Sequence, residues 1–186
     1  MKAFLGHVIW KIYVSPLWLI RVAMAALVVI WGLLGLLGTR KFPKLWRGVN
    51  IFCCVCSVLG ILYVTLFKRS PHEQFLQLIP FHFIVEAKEH IEILRSMLMN
   101  VFLFVPLGLS LPFSVNGKLP RTVIFTLVSA LIFSVCIEVV QYHFGLGRAE
   151  TDDVLCNVFG TLIGCLAFCK TLLLKKVSEN ANKNCS

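Results

Sequence analysis

Asn100, Glu138, Gln141, Arg148, Asp152, Asp153 and Asn157 are side chains of types that do chemistry, set in or beside strongly apolar sequence. Glu138 and Gln141 are three residues apart inside one apolar run, so on a helix they share a face. Arg148 follows Gly145 and Gly147 in the stretch YHFGLGRAE, and Asp152, Asp153 and Asn157 open the next apolar run. Placing an ionised or amide side chain at membrane depth costs several kcal/mol, so a cluster of them implies a task. The chemistry open to it is acid–base transfer by Glu138 beside an ionised Asp152 or Asp153. Arg148 would hold a phosphate or carboxylate in a two-point grip. The amides of Asn100, Gln141 and Asn157 would line the same site and bind its ligand.

The composition says what must position these groups. Of 186 residues, 58% are hydrophobic and 15% charged, with a mean hydropathy of +0.85, which is too apolar for an ordinary soluble domain. The fold expected is all-α: a polytopic membrane helix bundle of about five transmembrane helices plus one interfacial amphipathic helix. A helix needs about twenty apolar residues to cross hydrocarbon. Candidate spans are Leu17 to Leu37, Val49 to Phe67, Met97 to Phe113 and Thr122 to Gln141, with a fifth opening at Asp152 and closed by Lys170, Lys175 and Lys176. Residues 1–48 read as an N-terminal segment carrying an extra span and a basic loop, 49–174 as the main membrane domain, and 175–186 as a polar, frayed C-terminal tail.

Within this frame the connections carry further expectations. Gly32, Gly35 and Gly38 form a small-residue stripe suited to close helix contact. TRKFPKLWRG reads as a short loop with Trp46 as an interfacial anchor. In the polar connection 68–96, Ile84, Ala87, Ile91, Leu94 and Leu98 recur at helical steps, which predicts the amphipathic helix, lying over the polar cluster and preceded by a turn at Pro80-Phe81. Pro106 and Gly108 predict a kinked or partly broken third span. Thr151 is a reasonable helix N-cap, with Asp152 and Asp153 in the first turn where the helix dipole favours negative charge. Asp153, Asn157, Gly160 and Gly164 recur at steps of four, three and four, placing acid, amide and small residues on one inward face.

Several function classes are set aside. The formal charge of +9 sits mostly in short clusters between apolar runs, where membrane topology explains it, so no nucleic-acid partner is expected. His72, His82 and His90, spaced ten and eight apart, match no zinc pattern, and neither a metal nor another cofactor is expected. The cysteines within apolar runs read as small packing residues. Gly-x-Ser-x-Gly and P-loop patterns do not occur. With the N-terminus outside and the C-terminus cytoplasmic, ten Lys and Arg lie inside and seven outside, and the short loops divide six against one.

Asn100 with Phe104, Pro106, Leu107 and Gly108, then Glu138-x-x-Gln141, then Arg148 followed by Asp152, Asp153, Asn157, Gly160 and Gly164, resemble the signature of the VanZ-like family, and Pro80-Phe81 and Arg95 match its upstream positions. The resemblance covers roughly Val49 to Leu174. It implies a bacterial plasma-membrane protein connected with glycopeptide (teicoplanin) resistance or cell-envelope properties. Three readings of the polar cluster follow. It binds or modifies a lipid-linked envelope precursor or glycopeptide near the outer membrane face; it is a non-catalytic ion-pair and packing network between helices; or it serves a proton-coupled transporter.

Overall fold

The computed structural model describes residues 17–67, 75–81, 91–115 and 117–184. Hydrocarbon offers backbone N–H and C=O groups no partner, so apolar segments cross it as helices that satisfy their own backbone. Helix α1 spans Leu17–Lys41 and α2 spans Pro43–Leu62, the latter continued by a wider π turn at Tyr63–Phe67. Strand β1 is Phe75–Gln77, α3 is Ile91–Ser114, α4 is Leu119–Phe144, β2 is Arg148–Glu150 and α5 is Thr151–Asn184. Among the described residues, four helical stretches are long and apolar enough to cross a membrane: Pro43–Phe67, Ile93–Ser114, Leu119–Phe144 and Thr151–Ser178. Helix α1, at 25 residues, falls within their range of 22 to 28. The protein is thus an all-α membrane bundle, as its composition predicts.

Several boundaries differ from the sequence expectations. TRKFPKLWRG is not a loop, because α1 runs to Lys41 and α2 begins at Pro43, leaving Phe42 alone between them. Proline suits a first helical turn, where its missing N–H is no loss. The third span is not broken at Pro106: α3 is continuous through Pro106 and Pro112. The Ser110 hydroxyl donates to the Pro106 carbonyl at 2.8 Å, and that of Ser114 to the Ser110 carbonyl at 2.9 Å, so both hydroxyls are satisfied within the helix itself. The start of the expected amphipathic helix lies outside the described residues, and from Ile91 onward its sequence is the first turns of α3 rather than a separate surface helix. The C-terminal tail is helical as far as Asn184, for Lys175, Lys176, Glu179 and Ala181 are good helix formers.

One element was not expected. β1 and β2 pair in parallel, with Phe75 opposite Arg148, Leu76 opposite Ala149 and Gln77 opposite Glu150. The stretch YHFGLGRAE is therefore half turn and half strand. Gly145 ends α4 in the left-handed conformation (φ 61°), and the Leu146 N–H donates to the Gln141 carbonyl at 2.8 Å. Glycine accepts that geometry without a Cβ clash.

The core lies where α3 meets α5. A Cβ on Gly160 would collide with the Val101 carbonyl, one on Gly164 with that of Val105, and one on Gly108 with that of Thr161. The two helices thus run in the same direction with their backbones in contact, Val101 level with Gly160 and Val105 with Gly164. Around this seam pack Phe104, Val105, Leu109, Cys165 and Ala167, all buried. Helix α1 closes one side: Leu27, Val28 and Trp31 pack on Val105, Leu109 and Ala167, and the Thr171 hydroxyl donates to the Gly32 carbonyl at 3.0 Å. Trp46 packs against its neighbours in the bundle. Its ring stands 5.4 Å from Trp31 and 5.7 Å from Phe113, which itself meets Phe168 at 5.1 Å. Asn50, fully buried, accepts from the Trp31 indole at 3.1 Å and donates to the Trp46 carbonyl at 2.7 Å. Cys53, Cys54, Cys56, Cys136, Cys156, Cys165 and Cys169 are free thiols.

Overpacking a tight contact costs about 1–3 kcal/mol, and more where backbone must move. Gly160→Ala is accordingly expected to lower the melting temperature of the purified protein in detergent by several degrees. Gly60→Ala, at a site with nothing within 4 Å, is expected to leave it in place.

Candidate functional site

The residues singled out above gather at one end of the bundle. There the π turn of α2, strand β1, the beginning of α3, the last turns of α4, strand β2 and the first turns of α5 come together. Asn100, Glu138, Gln141, Asp152, Asp153 and Asn157 are all buried. The opposite end carries Arg40, Lys41, Lys44, Arg47, Lys118 and Arg121, and there the Arg47 Nε donates to the Ser114 carbonyl at 3.0 Å.

Each tie at the polar end answers a local need. The last carbonyls of a helix have no partner within it. Gln141, fully buried, meets that need for α2 by donating from Nε2 to the Thr65 carbonyl at 2.9 Å. Its Oε1 and the Oδ1 of Asn157 are buried acceptors with no donor among the described residues. Glu138, 8% exposed, accepts the Glu150 N–H on Oε2 at 3.1 Å and so fastens strand β2 to helix α4. Asn157 donates from Nδ2 to the Ser134 hydroxyl at 2.8 Å, linking α5 to α4. The Thr161 hydroxyl donates to the Asn157 carbonyl at 3.0 Å.

Asp152 acts on the turn that follows β1. Its Oδ1 accepts the Phe81 N–H at 2.6 Å, and Phe81 has φ 62°, a conformation non-glycine residues seldom adopt. The Thr151 hydroxyl reaches the Gln77 and Leu78 carbonyls at 3.4 and 3.3 Å. Strand pairing, Thr151 and Asp152 together hold segment 75–81 against the start of α5. This segment thus lies beside the polar end, tied to it through Asp152 and β2.

The Arg148 side chain is 43% exposed, and its Nε meets Glu150 Oε1 at 2.9 Å. Asn100 precedes Val101, whose carbonyl faces Gly160, so it stands at the level of Asn157 and Gly160. Asp153, also buried, lies one turn before Asn157 on α5. The histidines considered above as a metal set, His72, His82 and His90, lie outside the described residues. Sequence reasoning passed over Glu150, Ser134 and Thr65, all partners of the predicted residues. Ser134 could have been found, being four residues before Glu138 on the same helix face; Thr65 meets Gln141 through its carbonyl and Glu150 meets Glu138 through its N–H, and backbone atoms leave no side-chain pattern.

Beside Glu138 lies a cavity of about 400 Å³, walled by Leu76 and Leu78 near β1, Val139 and Tyr142 on α4, and Ala149 on β2. Of the seven predicted site residues, Glu138 alone lines it among the described residues. Gln141 ties α4 to α2, Asn157 ties α5 to α4, and Asp152 ties α5 to the turn after β1.

Apolar membrane-crossing helices with buried acids and amides collected at one end define an integral membrane protein with a polar terminal site. The chain belongs to the VanZ/LLP1 family, whose model matches residues 51–174. It is 36% identical over 72 residues to Protein VanZ of Enterococcus faecium, a stretch that is 38% of this chain and 42% of that protein. The match thus spans less than half the length of that relative. No solved structure matches the chain. Helix α1 and the start of α2 fall outside the family match, although α1 packs directly on α5.

Losing a hydrogen bond to a carboxylate costs about 1.5–3 kcal/mol, and 1.4 kcal/mol is about ten-fold in an equilibrium. In Asp152→Ala, hydrogen exchange at Phe81 and its neighbours is expected to quicken about ten-fold or more by mass spectrometry. The centre of α3 is expected to keep its wild-type protection.

Proposed function

We propose that this protein is a bacterial plasma-membrane protein linked to glycopeptide (teicoplanin) resistance or cell-envelope properties. In this reading its polar end faces outward and binds or modifies a lipid-linked or envelope component. The observation that carries the reading is the cavity beside Glu138: a buried carboxylate sits in a mostly apolar lining, joined there by Glu150 and Thr151, at the end of the bundle where Asp152, Asp153 and Asn157 are also buried. Family membership supports the link to resistance, as the resemblance to VanZ-like proteins implies. The charge distribution supports the orientation, because the opposite end bears the dense basic residues that favour the cytoplasmic side.

Acid–base work would fall to Glu138, which reaches the cavity, with Asp153 buried nearby. Arg148, at the edge and more exposed, would engage an anionic group. A second reading is favoured by a specific observation. Glu138, Gln141, Asp152 and Asn157 each make a hydrogen bond to a different element, which is what a non-catalytic packing network would need.

The two readings part on one measurement. Cells carrying Glu138→Gln or Asp153→Asn are compared with wild type for teicoplanin susceptibility, with membrane levels quantified by immunoblot. A binding or chemical site predicts protection lost at normal protein level; loss of both together identifies the packing network, and full protection at normal level removes both residues from the function. Orientation is tested separately in a variant cleared of native cysteines. Cysteine placed at Arg148 is expected to react with an impermeant maleimide on intact cells, and cysteine placed at Lys44 only after lysis.

A further inference from the structure

At the end of the bundle away from Glu138, cations stand where helix electrostatics oppose them. Lys44 and Arg47 lie in the first two turns of α2, and Lys118 and Arg121 at the start of α4. A helix start carries partial positive charge, which favours acids and disfavours cations. Neither first turn holds an acid. Residues 1–72 contain no Asp or Glu, and none lies between Glu92 and Glu138. The four cations are exposed and, among the described residues, make no ion pair. The tendency of Lys and Arg to collect on the cytoplasmic side accounts for their presence at this end, but not for their place at helix starts.

The same corner is short of hydrogen-bond acceptors. Neither helix has a side-chain cap, so the N–H groups of Lys44, Leu45, Leu119 and Arg121 lie in turns that offer them no helical partner. The Trp46 indole N–H and the Thr122 hydroxyl, one at the start of each helix, are buried with no partner among the described residues. Thr122 is 2% exposed, and a Cβ on Gly117 would collide with its hydroxyl, which therefore faces the approach to α4. Arg47 joins the two helix starts: its Nε donates to the Ser114 carbonyl at 3.0 Å, and Lys118, the N-cap of α4, is four residues beyond Ser114. Among the described residues this is its one polar contact, which leaves its Nη donors for a ligand bearing paired oxygens. We propose that this corner between the starts of α2 and α4 binds the phosphodiester of an anionic glycerophospholipid, a site separate from the cavity beside Glu138 and from the function proposed for it. Uncapped helix starts flanked by cations suit a phosphate. The apolar surface below them makes that phosphate a lipid's. Arg121, Phe125, Val128 and Ile132 recur at steps of four, three and four on one exposed face of α4, and Leu45, Val49 and Phe52 form a similar exposed stripe on α2. Exposed apolar side chains on membrane-crossing helices face acyl chains, so a headgroup level with Arg121 has its tails beside Phe125 and Val128.

The test titrates the full-length protein in detergent micelles with phosphatidylglycerol and, separately, with phosphatidylcholine, whose phosphate is already matched by its own choline. Bound lipid is counted by native mass spectrometry. Phosphatidylglycerol is expected to bind about ten-fold or more tightly than phosphatidylcholine, and less tightly as salt is raised. The double variant Lys118→Gln with Arg121→Gln, at two exposed positions, is expected to lose most of that preference with its melting temperature unchanged. Arg47→Lys, which keeps the charge and loses the planar fork, is expected to weaken phosphatidylglycerol several-fold, and it carries the comparison should the double variant fail to fold. Lys176→Gln, which removes an exposed charge of the same sign from α5, is expected to leave the preference in place. Equal affinity for the two lipids, or an equal loss in Lys176→Gln, would overturn the site in favour of diffuse surface charge. Displacement by glycerol 3-phosphate as readily as by phosphatidylglycerol would overturn the lipid as the source of the phosphate.

Discussion

Direct backbone contact between α3 and α5 is the constraint on which the rest of the structure depends. Lipid gives helices no hydrophobic reason to associate, so association rests on close packing, and close packing needs small residues at the contact. Gly108, Gly160 and Gly164 supply it, each lying against a carbonyl of the facing helix. Once Val101 stands level with Gly160, Asn100 is brought to the level of Asn157, and the first turns of α5 meet the first turns of α3. Helices α1 and α4 then add to this pair from their own sides, α1 through Gly32 and Trp31 and α4 through Ser134.

The polar end shows how a membrane protein uses its few buried hydrogen-bonding side chains. An unsatisfied polar group in low dielectric is costly. Glu138, Gln141, Asp152 and Asn157 turn that cost into specificity, because each reaches a partner that exists only when the correct element is docked. Three of the four engage at least one backbone group: the end of α2, the N–H of Glu150 and the N–H of Phe81. Glu138 belongs to both the packing and the cavity, holding β2 through Oε2 while lining the cavity.

Much of this was legible from residue order. The apolar runs, the stripe Asp153, Asn157, Gly160 and Gly164, and the common face of Glu138 and Gln141 follow from helical periodicity, which tertiary packing does not alter. Family-specific spacing pointed to the VanZ-like group before any coordinate. The errors share a different cause. Pro106 suggested a break, yet the surrounding helices hold α3 continuous, and TRKFPKLWRG looked like a loop because its charge masked a helix end and a proline-led helix start. The strand pair was invisible because three-residue strands leave no period and their partners are more than seventy residues apart.

What the sequence by itself determined is the class of molecule and which polar side chains stand within its apolar runs, since hydropathy, spacing and side-chain chemistry are local properties. Only the tertiary structure decided what each group touches: that Asp152 secures the turn at Phe81, that Arg148 sits at the surface with Glu150, and that Glu138 alone of the predicted set opens on the cavity. The physical reason is that these contacts run between backbone and side chain across long stretches of chain. A carbonyl or N–H is the same at every position, so which one a side chain will find is written in the packing of the helices and not in the order of the residues.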